Sequence, residues 1–127
     1  MKSITIKQFG EKELEMVSAL RSLGMDRKVA SVLVYLGSVP NASAREIEQG
    51  ANLRQPEVSL GLKYLRIGGA IGTQIAPERG EVHNLTLSMD DIIRGLAENA
   101  MHKNRENVKF IEQARQIAKD WMREAKA

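Results

Sequence analysis

The side chains able to do chemistry in this chain are cations, amides and hydroxyls, and a few of them are placed where they could act together. Arg54, Gln55, Glu57, Ser59 and Lys63 lie close together, Ser43 and Arg45 precede them, and Arg79 follows. Guanidinium and amide groups present paired hydrogen-bonding groups that match base edges and phosphate oxygens. Sets of groups that could break bonds are missing. There is no cysteine, which removes thiolate catalysis, disulfides and Cys-based zinc sites. His83 and His102 are far apart and have no ligand spacing. Asp90 and Asp91 are adjacent carboxylates, but at a helix start the helix dipole accounts for them. Gly68-Gly69-Ala70-Ile71-Gly72 lacks the spacing of a nucleotide loop, and it ends a helix instead of opening one. The chain reads as a binding protein and not an enzyme, with no cofactor and no metal implied.

Composition sets the frame for these residues. A chain of 127 residues with 43% hydrophobic content suits one compact unit with a real core, filled by aliphatic residues because aromatics are only 4%. The net charge is +3. It is spread evenly: 11 Lys/Arg and 9 Asp/Glu over residues 1–87, then 8 and 7 over residues 88–127. This balance tolerates a polyanionic partner without demanding one. No apolar run reaches membrane-spanning length, and Met1 to Phe9 has no signal-peptide core, so the expectation is a cytoplasmic protein without a membrane partner. The absence of cysteine fits a reducing compartment.

Several elements must position the candidate residues. Ser3-Ile4-Thr5-Ile6 alternates and suits a short strand. From Glu11 the period lengthens. Leu14, Val17, Leu20 or Arg21, and Leu23 mark an amphipathic helix that Gly24 ends. Asp26 caps a second helix whose Val29, Ala30, Leu33, Val34 and Leu36 place it at the centre of the core. Gly37 to Asn41 is a breaker cluster. Ser43 and Glu46 then form a capping box that opens a short helix over 44–50, with Ile47 inward. Gly50-Ala51-Asn52 is a tight turn. Pro56 stands at the start of a helix over 55–67, whose Val58, Leu62 and Leu65 share one face. Gly68-Gly69 stops it. Residues 70–75 and 82–87 read as two strands around the loop 76–81, and the buried face of the second is left open.

The resulting order is helix, helix, capped short helix, turn, Pro-started helix and hairpin. That is the order of a winged helix-turn-helix domain, and the fold class is mostly α with a small β-hairpin (α+β). In this arrangement the helix 55–67 enters the major groove of duplex DNA and the hairpin 70–87 is the wing. Val58, Leu62 and Leu65 pin the helix, so Gln55, Glu57, Ser59, Lys63 and Arg66 face solvent, with Arg54 just before them. Gly61 leaves a smooth patch where a backbone can approach. Taken singly these are an ordinary solvated helix face; within the full order they are read as DNA contacts. Lys63 suits phosphate better than a base. Arg45 serves equally as a phosphate contact or as solvation of the short helix. Arg79 is either a wing contact or an ion pair with Glu78 or Glu81. Tyr64 is expected to be half-buried.

The segments Ala42-Ser43-Ala44-Arg45-Glu46-Ile47, Leu53 to Ser59, Leu62 to Leu65 and Gly69-Ala70-Ile71, with Leu23-Gly24-Met25 and Ala30 to Leu36 upstream, resemble archaeal winged helix-turn-helix regulators of the TrmB-like and MarR/ArsR-like groups. The resemblance covers about residues 20–87. It implies sequence-specific DNA binding as a dimer, with base contacts from Arg54, Gln55, Glu57 and Ser59, a later contact from Lys63, and a minor-groove contact from Arg79. The acidic neighbours Glu78 and Glu81 depart from the usual basic wing. The sugar-binding domain of TrmB proteins and the cysteine pair of metal-sensing ArsR proteins are absent, so no small-molecule effector is implied. The runner-up reading is a winged-helix module that binds another protein without touching DNA.

Residues 88–127 are expected to form a separate dimerisation element. Ser88 caps it, Asp90 and Asp91 stand in its first turn, and only Gly95 interrupts it. A continuous helix of that length would span about 55 Å, too long to bury on one small domain. A heptad seam through Ile93, Ala97, Ala100, Ile111, Ala114, Ala118 and Trp121, widened by Leu96 and Val108, points to a second copy of the chain as its partner. Asn104 and Asn107 interrupt this seam, either as register-fixing polar residues or at a break into two helices.

Overall fold

In the computed structural model, described over residues 6–103, 116, 117, 119–121 and 123, α2 (Arg27–Ser38) forms the axis around which the other elements gather. Every residue from Ala30 to Leu36 is buried. Such a run cannot lie at a surface, and it is covered by α1 (Glu11–Ser22), α4 (Gln55–Ile67) and the hairpin of β1 (Ile71–Ala76) and β2 (Gly80–Leu85). The short α3 (Ala44–Gly50) lies between α2 and α4, and α5 (Met89–Lys103) follows the hairpin. The protein is thus mostly helical with one antiparallel hairpin, an α+β fold. No described helix is long and apolar enough to cross a membrane.

Local chemistry sets most boundaries. Asp26 accepts the N–H of Lys28 at 2.9 Å and starts α2. Gly24, at φ +99°, takes the left-handed conformation that ends α1. Ser88 accepts the N–H of Asp91 at 3.1 Å and starts α5, where Arg94 bonds Asp90 at 2.7 Å. One expectation for α1 is overturned: Leu14 is 58% exposed, and Met16, fully buried, fills the core in its place. The inward face of α1 instead includes Glu13, whose carboxylate accepts the N–H of Gly10 at 3.3 Å and pairs with Lys7 at 3.3 Å. A charged residue tolerates that position because both interactions compensate its lost hydration.

The hairpin is tighter than its alternation suggests. Its register runs from Ile71↔Leu85 to Ala76↔Gly80, so β2 begins two residues earlier than expected and the loop shrinks to Pro77-Glu78-Arg79. Positive φ at Glu78 (+67°) and Gly80 (+77°) closes it. Thr86 leaves the strand to tie the hairpin exit to the end of α4, donating its hydroxyl to the Gly69 carbonyl at 2.7 Å. Ala42 pairs with His83 through both backbone groups, at 3.1 and 2.8 Å. β2 is therefore covered by both α2 and α3, and the neighbouring residues Val82 and His83 are both buried.

Of the region 88–127, α5 covers Met89–Lys103, and residues 116, 117, 119–121 and 123 are helical as well. A straight helix would separate Met89 from Trp121 by about 48 Å. Both side chains instead lie within 3 Å of the position a Cβ would take on Gly37, Trp121 Cη2 at 2.8 Å and Met89 Cε at 2.9 Å. Ile93 and Trp121 are buried, and Leu96 and Ile117 half-buried, in the core that α1, α2 and α4 share. The apolar positions of this region that were assigned to a chain–chain seam are thus already covered within one chain at Ile93, Leu96 and Trp121. Ala100 falls in α5. Val108, Ile111, Ala114 and Ala118 lie outside the described residues.

Candidate functional site

The candidate residues lie on α3, α4 and the turns beside them. α3 opens on a complete capping box: Ser43 Oγ accepts the N–H of Glu46 at 3.2 Å, and the Glu46 carboxylate receives the Ser43 N–H at 3.4 Å. The turn after α3 passes through Asn52 at φ +55°, and the buried Leu53 plugs it into the core. α4 then opens on a second reciprocal cap. Glu57 Oε1 accepts the Arg54 N–H at 2.9 Å while its Oε2 takes Arg27 Nη2 at 3.2 Å. The backbone hydrogen bond from Arg54, helped by the charges of Arg27, Lys28 and Arg54, holds the Glu57 carboxyl below the usual carboxylate range.

The inward face of α4 is Val58, Gly61, Leu62 and Leu65, all buried. Each of the three large residues contributes about 1.5–3 kcal/mol on full burial. Gly61 has a different role from the one expected. A Cβ there would stand 2.7 Å from Val32 Cγ2 and 3.3 Å from the Lys28 carbonyl, so the backbone that approaches it is α2, from inside the molecule. The smooth patch is a helix crossing and not an outward surface.

Arg54, Gln55, Ser59 and Lys63, all expected to face outward, are exposed, as is Arg66. They line one protruding helix. Glu57 shares that helix, but its carboxylate is engaged with Arg54 and Arg27. Ser43, Arg45 and Arg79 form a second group around a groove of about 330 Å³ between α3 and the hairpin turn, lined also by Ile6, Glu46, Gln49 and Glu78. Arg79 ion-pairs with Glu46 and with neither Glu78 nor Glu81, so the hairpin turn is drawn back onto α3.

No protein-family model and no curated protein matches the chain. The site therefore has to be read from its own geometry.

Sequence reasoning missed two features of it. The ion pairs Arg79–Glu46 and Arg27–Glu57 join residues 33 and 30 positions apart and leave no local signature. The outward apolar residues of α4 were also missed: Tyr64 is 56% exposed instead of half-buried, and Leu60 and Ile67 are 38% and 74% exposed. A signal for these was present, because fixing Val58, Leu62 and Leu65 inward at about 100° per residue turns Leu60 and Ile67 outward.

Behind the hairpin, His83 is buried and its Nδ1 lies 2.9 Å from the Thr73 hydroxyl. Burial, and then the charge of Arg66, lower its pKa, with Glu81 opposing. Among the described residues, no group of His, Asp and Glu could hold a metal ion.

Proposed function

We propose that the chain is a winged helix-turn-helix transcription regulator that binds duplex DNA as a homodimer, with α4 in the major groove and the β1–β2 hairpin as the wing. One observation carries this reading. α4 is fastened along its length to α2, and its exposed side presents Arg54, Gln55, Ser59, Lys63 and Arg66 while its single acid, Glu57, is held by Arg27 and the Arg54 N–H. A rigid helix with cations and amides outward and no free carboxylate suits phosphate and base-edge contacts. The pairing of Arg79 with Glu46 gives the wing a smaller part, and α4 carries most of the contact.

The test is fluorescence anisotropy with random and selected duplexes across a salt series. Binding should weaken steeply with salt as counterions are released. The double variant Arg54→Ala, Gln55→Ala should lose more than about tenfold in affinity with its melting temperature unchanged, and Lys63→Ala should reduce the salt slope by about one. Absence of binding to any duplex at low salt would falsify the reading. A selected consensus of two inverted half-sites about 34 Å apart supports the dimer, and sedimentation equilibrium reads the same property without DNA.

A second reading, a protein-binding module, is favoured by the apolar residues Leu60, Tyr64 and Ile67 that α4 turns outward. The Arg54, Gln55 double variant separates the two, since a protein contact through the apolar strip survives it.

A further inference from the structure

The buried residues Val58, Gly61, Leu62 and Leu65 define the inward direction of α4. At about 100° per residue the opposite direction falls among Pro56, Leu60, Lys63 and Ile67, with Ser59 and Tyr64 on the flanks. The exposures agree: Leu60, Tyr64 and Ile67 are the large apolar side chains that α4 leaves in solvent. The part of this helix that projects furthest is thus an apolar strip with Lys63 set in it and exposed Arg54 and Arg66 nearby. The helix offers no free carboxylate there. An apolar strip among cations complements a polyanion that itself carries apolar groups.

Duplex DNA has one such group in its major groove, the 5-methyl of thymine, which is also the only apolar feature distinguishing one pyrimidine from the other there. We propose that Leu60 and Tyr64 contact thymine methyl groups and make α4 selective for thymine over cytosine at the positions they face. This rests on the DNA-binding reading above and specifies what α4 reads. Leu60 and Tyr64 are one helical turn apart, about 6 Å along the axis, against a rise of about 3.4 Å per base pair. The two side chains therefore address thymines on neighbouring base pairs or two steps apart. Lys63, on the side of Leu60 away from Tyr64, has the length to reach a flanking phosphate, while Gln55 and Ser59 supply hydrogen bonds nearer the helix start. Ile67, in the last turn, extends the strip toward the groove edge.

The experiment uses the full chain and a duplex selected from a random pool. Each thymine of the consensus is replaced in turn by deoxyuridine, which deletes the methyl and keeps every hydrogen-bonding group. Dissociation constants are measured for the wild type, Leu60→Ala and Tyr64→Ala. Neither side chain belongs to the buried core, Tyr64 being 56% and Leu60 38% exposed, so the variants should stay folded, with at most a small loss in melting temperature. The expected result is a loss of about fourfold for the wild type at one or two specific thymines. The same replacement should be silent at one of those positions in Leu60→Ala and at another in Tyr64→Ala.

Equal affinity of the wild type for thymine and deoxyuridine duplexes overturns the proposal while leaving DNA binding intact. So does an unchanged deoxyuridine penalty in both variants. If the variants abolish self-association in sedimentation and leave the penalty untouched, the strip is a protein contact and the proposal is wrong. Failure of the wild type to bind any duplex removes both this inference and the reading beneath it.

Discussion

Two structures cross α2, and each does so through a glycine, but the glycine lies on opposite partners. At the α4 crossing it belongs to the incoming helix: Gly61 admits Val32 of α2. At the C-terminal crossing it belongs to α2 itself: Gly37 admits Trp121. The first contact is a seam. Val58, Leu62 and Leu65 extend it along α4, and the α2 backbone takes part through the Lys28 carbonyl. The second concentrates on one large ring beside the flexible end of Met89. A seam fixes a helix in position and direction, so its outer face can serve as a reading surface. Around Gly37 the described contacts come instead from side-chain ends, Trp121 Cη2 and Met89 Cε, with Ile93 and Ile117 in or against the same core.

The strongest way to break this comparison is to delete the ring. Trp121→Ala should lower the free energy of unfolding by about 3–5 kcal/mol, the range for a buried large aromatic. Because Trp121 packs on Gly37 within its own chain, the loss read by urea denaturation should not vary with protein concentration. A loss that shrinks at high concentration would place the ring at a contact between chains instead.

The two glycines give the next test. Gly61→Ala puts a methyl 2.7 Å from the stiff, branched Val32, where little can move, and should cost about 2 kcal/mol. Gly37→Ala has as its nearest neighbours side-chain ends rather than backbone, Trp121 Cη2 and Met89 Cε, and should cost less. Thermal melts of the two variants check the order, and a larger loss at Gly37 would reverse the account of which crossing is rigid. Gly95, in α5, meets nothing within 4 Å. Gly95→Ala there should stabilise the protein by about 1 kcal/mol through helix propensity alone.

The same contrast explains what could be read in advance. α3 and α4 were legible to their ends because their boundaries come from neighbours in sequence: Ser43 with Glu46, Pro56 at the helix start, Gly68 after the last turn. The outward placement of Arg54, Gln55, Ser59 and Lys63 followed from the spacing of Val58, Leu62 and Leu65. What failed was non-local. An apolar stripe says that a face must be covered but not by what, so Ile93, Leu96 and Trp121 suggested a second chain, and all three lie in or against the chain's own core. Glu57 reads as facing solvent, and Arg79 as a wing contact or a partner of Glu78 or Glu81, because Arg27 and Glu46 are remote in sequence. The bridge from Ala42 to His83 was not foreseen because it has no local pattern.

That bridge leads to the smallest expected effect. His83 is buried between the hairpin and the Ala42 backbone, with the Thr73 hydroxyl at Nδ1 and two charges that matter nearby: Arg66 on α4, which opposes protonation, and Glu81 on β2, which favours it. Burial and Arg66 prevail, so the folded ring binds a proton less readily than the unfolded one. The sign follows from linkage. Above about pH 7.5 neither state is appreciably protonated at this ring and the full stability is present. As pH falls through about 6.5 the unfolded state takes up a proton that the folded state refuses, and stability declines until the folded ring also titrates. Denaturation between about pH 7.5 and 5.5 should therefore show a loss that His83→Gln removes, the glutamine retaining a partner for Thr73. The Cε1 proton resonance of His83 should titrate with a midpoint below that of a free imidazole. A midpoint above it would mean that Glu81 outweighs burial and Arg66, and the stability change would then run in the opposite direction.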